Sequence, residues 1–123
     1  MATATGMQDV LGKFRAIRGV GMAAVVGSDG LVIESVHRPE LDADALAAVA
    51  TNGLLLAEAL GRQMERGGAL QTIIEYEAGV VLIEPLGDEG MVLVVSDDRN
   101  DLGRIRFTAK RYKSHLVDAL AAI

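Results

Sequence analysis

Residues 18–35, RGVGMAAVVGSDGLVIES, hold four of the chain's fourteen glycines beside two apolar runs. The order Gly19-Val20-Gly21 with Ala24 imitates the G-x-G-x-x-A turn of dinucleotide-binding proteins, in which the glycines follow a strand and open a helix. Here a predicted helix precedes the glycines and a predicted strand follows them, and no Walker A sequence occurs. We therefore interpret the stretch as a β-hairpin in which MAAVVG and LVIESV flank a tight turn at residues 28–30.

Helical and strand-like segments surround this hairpin. Apolar residues at helical spacing from Met7 to Ile17 predict an amphipathic helix over about 6–17. After the hairpin, a stretch rich in Ala and Leu predicts a long helix that begins at the N-cap Asp42 and stops, after Arg66, at a glycine pair. The other predicted elements are strands at 70–76, 79–86 and 90–97 and an amphipathic helix at 102–123.

The predicted order is α-β-β-α-β-β-β-α. Two antiparallel strand groups joined by a helix predict an α+β sandwich with a single five-stranded, mostly antiparallel sheet and helices on both faces. The length of 123 residues suits one domain. Residues 1–5 are expected to be a flexible N-terminal segment.

Composition excludes several kinds of site. The chain has no cysteine, which removes disulfides, thiolate metal sites and thiol nucleophiles. A net charge of −5 argues against nucleic acid as a partner. The N-terminus lacks the features of a secretory signal, and we expect no apolar run to be long enough for a membrane span. We expect a cytoplasmic protein.

The titratable residues do not converge on a catalytic pattern. Glu34, Glu75, Glu77 and Glu84 are predicted on strands, where a solvated strand face is the favoured interpretation over acid–base chemistry. Asp97, Asp98 and Asp101 precede the last helix, whose dipole favours them there, and their spacing matches no Ca²⁺ loop. His37 and His115 have no neighbouring triad partners. We expect no catalytic residue, no cofactor-binding residue and no metal site.

The central helix has an apolar surface about half its circumference wide, more than one sheet needs. One stripe is expected to lie on the sheet: Leu46, Val49, Gly53, Leu56, Leu60 and Met64. A second strip of small residues is expected to contact the same helix of a second copy: Ala47, Ala50, Leu54 and Gly61. The alternative is that the alanines are there only because Ala is a good helix former.

Two further features of the helices stay open at this point. Leu55 projects away from the main stripe, either as an ordinary exposed leucine or as an anchor for another protein. The last helix carries a basic cluster: Arg104, Arg106, Lys110, Arg111 and Lys113. We interpret this cluster as a solvated face without aromatic residues interleaved for base stacking. An acidic protein patch or an anionic membrane surface is the alternative.

Taken in order, these segments resemble the Roadblock/dynein light chain domain family. The resemblance is carried by GVGMAAVVGSDGLVIES, LDADALAAVATNGLLLAEALGRQM, LQTIIEYEAGVVLIEPLGDEGMVLVV and DLGRIRFTAKR. It implies one Roadblock-like domain over 1–123, with the central helix on one face of the sheet and the terminal helices on the other. It also implies a homodimer in which the third strands pair and the central helices lie side by side. The third strand would contribute Leu70, Thr72, Ile74 and Tyr76.

The resemblance also implies partners and a role. Bacterial members of the family commonly accompany small Ras-like GTPases, so the resemblance implies a regulator, not an enzyme, that binds such a GTPase and acts as its GTPase-activating partner by remodelling its switch segments, without an arginine finger. The residues expected to bind the GTPase are Thr51, Leu55, Glu58 and Arg62. The alternative is a non-catalytic, light-chain-like subunit of a motility or membrane-associated complex, with any membrane association indirect.

Overall fold

The computed structural model describes the backbone of residues 2–123 and the side chains from Gly6 onward. The order of elements confirms the predicted α-β-β-α-β-β-β-α arrangement. The elements are α1 (Ala2–Arg15), β1 (Val20–Gly27), β2 (Val32–His37), α2 (Ala43–Gln63), β3 (Thr72–Tyr76), β4 (Gly79–Pro85), β5 (Gly90–Ser96), a 3₁₀ turn (Arg99–Asp101) and α3 (Leu102–Ala121). The flexible segment expected at residues 1–5 falls outside the residues whose side chains are described.

The five strands form one sheet in the order β2-β1-β5-β4-β3, and every neighbouring pair is antiparallel. β2 and β3 therefore form the two edges. They are consecutive strands in the chain, so α2 must carry the backbone from one edge of the sheet to the other. Its 21 residues correspond to about 31 Å of helix, enough to cross a sheet whose strands are about 4.8 Å apart.

Alternation along the strands sends apolar side chains to both faces of the sheet. On β4, Val80 and Leu82 pack with α1 and α3, whereas Ile83 packs with α2. The core under α1 and α3 is the larger one and contains the fully buried Phe14. The structure thus confirms a three-layer sandwich with α2 alone on one face.

The hairpin predicted at residues 18–35 is present. β1 and β2 are joined by a turn in which Gly30 has a φ of 85°, a left-handed conformation that favours glycine. The Gly27 amide donates to the Leu31 carbonyl at 2.8 Å, and the Leu31 amide donates to Asp29 Oδ1 at 3.0 Å. The turn glycine therefore serves the chain reversal.

The N-cap predicted for α2 is also present, because Asp42 Oδ1 accepts from the Ala45 amide at 3.1 Å. The helix ends at Gln63 instead of the predicted Arg66, with Glu65 in a left-handed conformation at φ 54°. By length and composition alone, α2 is the one helix among the described residues that could cross a membrane, although Asp44 and Glu58 interrupt its apolar residues. Core helices meet the same criterion, and in this fold α2 packs on the sheet.

Candidate functional site

The side of α2 that lies on the sheet is made of alanines. Ala47 is fully buried, and Ala43 and Ala50 are each 9% exposed. They pack on residues of β1, β4 and β5, including Met22, Ile83 and Leu93. Small side chains let the helix axis come close to the sheet. Ala47 is covered within one protomer, whereas Ala50 also lines the groove beside the open sheet edge, so the assignment of these two residues to a contact between copies stays a prediction.

The stripe predicted to lie on the sheet is largely exposed, which is a correction. Val49, Leu56, Leu60 and Met64 are 69%, 63%, 54% and 57% exposed. Leu46 and Gly53 are half-buried at the border of this stripe. The two apolar strips on α2 were thus identified, but the strip predicted to face the sheet is exposed, and the strip predicted to be exposed lies on the sheet. We call Val49, Leu56, Leu60 and Met64 the outer stripe.

The other two residues of the small strip do not lie on an open surface either. Leu54 is half-buried and packs with the cluster beneath α2. Gly61 is buried, and a Cβ there would meet the Gly67 carbonyl oxygen at 2.5 Å. Gly61 therefore allows the chain after α2 to fold back against the helix. A charge at Leu54 would disturb the protomer, so Leu56 is the better position for testing a contact between copies.

The outer stripe lies beside the open edge of the sheet. β3 pairs only with β4 in the sheet, which leaves its other side without a strand. A groove of about 360 Å³ runs between α2 and this edge, lined by Val49, Leu56, Ile74 and Tyr76 among others. Tyr76 is 53% exposed, while Thr72 at the other end of β3 is half-buried. Leu70, just before β3, is 79% exposed.

The four residues expected to bind a GTPase lie on the opposite flank of α2. Thr51, Leu55 and Glu58 line one depression of about 200 Å³ next to the β1–β2 and β4–β5 turns. Leu55 is 61% exposed, and Arg62 is exposed one helical turn beyond the depression. Thr51 and Glu58 are partly engaged inside the chain: Thr51 Oγ1 donates to the Ala47 carbonyl at 2.9 Å, and Glu58 Oε2 accepts from the Ala69 amide at 3.1 Å.

The acidic residues considered as acid–base or metal candidates have separate structural roles. The buried Glu84 accepts from Gln71 Nε2 at 2.8 Å, and Glu34 accepts from Gln8. Asp97 forms an ion pair with Arg38 at 2.7 Å. Glu75 and Glu77 are exposed. Within the described part of the chain, no group of three or more His, Asp or Glu side chains is placed to hold a metal ion.

Asp101 joins the start of β1 to the end of β5. Its Oδ2 accepts from the Gly19 amide at 3.0 Å and from Ser96 Oγ at 2.8 Å, and the residue is 7% exposed. A Cβ on Gly19 would collide with this carboxylate, so glycine is required there by close approach and not by a nucleotide.

We expect Asp101→Ala to lower the free energy of unfolding by about 2 kcal/mol, since it leaves the Gly19 amide without its acceptor and Ser96 Oγ with only the longer contact to the Asp98 carbonyl at 3.2 Å. Urea denaturation followed by circular dichroism measures this loss. Asp98→Ala is the control, because Asp98 is exposed and its side chain accepts only from the amide of Asn100 two residues on. Equal effects of the two substitutions would contradict the role assigned to Asp101.

The basic cluster of α3 contains an aromatic residue that sequence reasoning overlooked. Phe107 is 64% exposed and stands among Arg104, Arg106, Lys110 and Arg111. The statement that no aromatic side chain is interleaved with these cations was wrong. The signal was available, because Phe107 falls outside the apolar spacing of α3 that Ile105 and Ala109 define.

Comparison with known proteins places this fold in a family. A family model described as the Roadblock/LC7 domain matches residues 7–97. The chain is 37% identical over 102 residues to the uncharacterized protein MJ0310 of Methanocaldococcus jannaschii, and the match covers 83% of this chain and 89% of that protein.

Solved structures of MglB proteins have the same architecture. The gliding protein MglB of Thermus thermophilus superposes with a TM-score of 0.86 at 16% identity, covering 100% of this chain and 94% of that chain. Myxococcus xanthus MglB gives a TM-score of 0.85 at 17% identity, covering 96% and 90%. These structures establish the shared fold. Since the family model spans most of the chain, from α1 to the end of β5, this protein belongs to the Roadblock/LC7 domain family.

Proposed function

We propose that this protein is a homodimeric regulator that binds a small Ras-like GTPase in the cytoplasm. Membership of the Roadblock/LC7 family and the fold shared with MglB over the whole chain support the proposal. The observation that carries it is the exposure of α2 on two flanks. One flank is apolar and adjoins an open sheet edge, and on the other Leu55 lines a depression together with Thr51 and Glu58.

The apolar flank suits a second copy of this chain. A strand edge without a partner favours pairing with another strand, and a twofold axis lets β3 pair with the β3 of a second copy. The same axis brings the two outer stripes together and closes the groove between α2 and the edge. The four side chains of the outer stripe are each more than half exposed within one protomer, so they are available to the partner copy.

The second flank of α2 suits the GTPase. Leu55 supplies an apolar anchor, and Thr51, Glu58 and Arg62 supply a polar surround, an arrangement typical of protein-binding sites. Because this flank points away from the outer stripe, a dimer leaves it open in both protomers. The two functions of α2 can therefore operate at the same time.

The proposed action on the GTPase is indirect. An arginine finger must reach the transferred phosphoryl group. Arg62 and Arg66 are exposed near the end of α2, but no feature of the sequence or the fold marks either one for that role. We propose instead that the dimer shapes the switch segments of the GTPase, so that the GTPase supplies the catalytic groups itself.

The test uses purified Ras-like GTPases encoded in the same genome, loaded with GDP or with a non-hydrolysable GTP analogue. We expect this protein to bind one of them at least tenfold more tightly in the GTP-like state. Leu55→Arg is expected to weaken that binding by about a hundredfold, since a charge at an apolar anchor is left without a partner. Biolayer interferometry gives the affinities, and sedimentation verifies that the variant has the same oligomeric state as the parent.

Phe107→Arg is the matched control, because Phe107 is 64% exposed and lies on α3, on the opposite face of the sheet from α2. Equal binding to both nucleotide states would overturn the regulatory proposal and favour a light-chain-like adaptor. No binding to any of the GTPases would overturn the partner assignment altogether.

A further inference from the structure

The N-terminal four-fifths of α3 is free of acidic residues. From Leu102 to Val117 the chain contains five Lys and Arg residues and no Asp or Glu, although the whole protein carries a net charge of −5. Lys13 of α1 lies against the same surface. We call the following set the basic ridge: Lys13, Arg104, Arg106, Lys110, Arg111 and Lys113, with Phe107.

Phe107 projects from the middle of the basic ridge. Two open depressions, of about 680 and 580 Å³, lie on its two sides, and Phe107 lines both. Ile105, two residues earlier, is fully buried, so helical geometry directs Phe107 away from the core. An aromatic ring that is 64% exposed among cations is unusual for a surface that contacts only water.

The cations of the basic ridge form no ion pair with the described residues, and Arg111 lies over the ring of Tyr112. Among the described residues, the ion pairs within 4.0 Å are both formed by Arg38, and none involves the basic ridge. Half of the chain's twelve Lys and Arg residues are thus gathered on one surface of α1 and α3, where the buried Glu84 lines one of the two depressions without an ion pair to them. The surface has a local charge opposite to that of the whole protein.

We propose that the basic ridge binds the surface of an anionic lipid membrane. Lys and Arg side chains attract acidic headgroups, and an aromatic side chain among them can enter the interface between headgroups and acyl chains. The convex shape favours this occupant. An acidic peptide would need a continuous groove, which Phe107 interrupts, and a single strand of nucleic acid would need more than one exposed ring for stacking. Tyr112 lines one of the depressions, but its ring is half-buried against the core and lies beneath Arg111, at 5.6 Å from the guanidinium carbon.

The position of α3 in the fold determines which face of the protein points away from the membrane. α3 and α2 lie on opposite faces of the sheet, so a protein held by the basic ridge presents α2 away from the lipid. If the dimer of the proposed function forms through β3, its twofold axis places both ridges on the same face, with two Phe107 side chains and twice the positive charge. Direct membrane contact then replaces the indirect association expected from the sequence.

The test is co-sedimentation with vesicles of phosphatidylcholine alone or with one third phosphatidylserine. We expect the protein to bind the anionic vesicles, and binding to fall as the ionic strength rises from about 0.05 to about 0.5 M. The double variant Lys110→Ala/Arg111→Ala is expected to weaken binding about 30-fold, from about a fivefold contribution of each cation near the surface. Arg66→Ala, an exposed arginine outside the ridge, is expected to leave it unchanged.

Phe107→Ala separates the aromatic contribution from the charge. We expect Phe107→Ala to weaken vesicle binding severalfold at both low and high salt. Leu31→Ala, at a similarly exposed residue, is expected to have no effect on vesicle binding. The ridge variants are expected to keep the oligomeric state and the GTPase affinity of the parent. A failure of the membrane proposal can therefore be distinguished from a failure of the proposed GTPase regulation.

Equal binding to neutral and anionic vesicles would overturn the proposal. So would ridge variants that bind anionic vesicles like the parent. Polyglutamate and a single-stranded oligonucleotide are tested in parallel. Tight binding of either one, with no binding to anionic vesicles, would assign the ridge to an acidic protein or to nucleic acid instead.

Discussion

Leu56→Arg is expected to convert the protein from a dimer into a monomer. Leu56 is 63% exposed in the protomer, so the arginine meets solvent there and the fold is retained. In the proposed dimer the same side chain lies in the contact between the two outer stripes, where an unpaired buried charge costs about 3–5 kcal/mol. Twofold symmetry places the substitution on both sides, so we expect the dissociation constant to rise by a hundredfold or more.

Sedimentation equilibrium over a range of concentrations measures this change. Leu31→Arg is the matched control for the dimer contact, because Leu31 is exposed to a similar degree but lies in the turn that leads to the opposite edge strand, β2. We expect that variant to remain dimeric. A Leu56→Arg protein that sediments as the parent does would eliminate the outer stripe as the dimer contact.

Gly90→Ala is expected to destabilise the protein by about 3 kcal/mol, which corresponds to a fall in Tm of roughly 10–15 °C for a domain of this size. Gly90 begins β5 and lies opposite Gly27 of β1. A Cβ at this position would overlap the Val26 carbonyl oxygen and approach the Gly27 Cα at 3.2 Å. Both obstacles are backbone atoms of a central strand, so they cannot move aside as a side chain does.

Alanine at Gly103 is expected to have the opposite effect on stability. Gly103 lies in the first turn of α3, and a Cβ there would meet no other atom within 4 Å. Alanine restricts the unfolded chain and favours the helix, so Gly103→Ala should stabilise by about 0.5–1 kcal/mol. Thermal unfolding of both variants at one protein concentration tests the pair, since dimerisation makes Tm depend on concentration. Equal effects would contradict the packing described around Gly90.

Local sequence patterns were sufficient to predict the order of helices and strands. The turn at Gly30 and the N-cap at Asp42 depend on neighbouring residues only, and both were predicted correctly. The family resemblance, carried by the order of the segments, predicted the distribution of helices over the two faces. The strand order β2-β1-β5-β4-β3 depends on contacts between distant segments, which no local pattern contains.

The side of α2 that faces the sheet was not predicted correctly from the sequence. Hydrophobicity identified two apolar strips and favoured the larger side chains for the sheet. The structure places Ala47 and Ala50 there and leaves Leu56 and Leu60 exposed. Periodicity gives the angle between two strips on a helix, but it does not say which strip faces the sheet. That choice depends on how close the helix can approach, and small side chains allow the closer packing.

The sequence by itself determined the elements of this protein, the hairpin in place of a nucleotide loop, and the family. Each depends on local chemistry or on the order of segments along the chain. Only the tertiary structure decided that the leucines of α2 border an open strand edge and that Lys13 of α1 joins the cations of α3 on one surface. These surfaces arise where residues distant in sequence become neighbours, because helices and strands pack through side chains whose directions are set by the whole sheet.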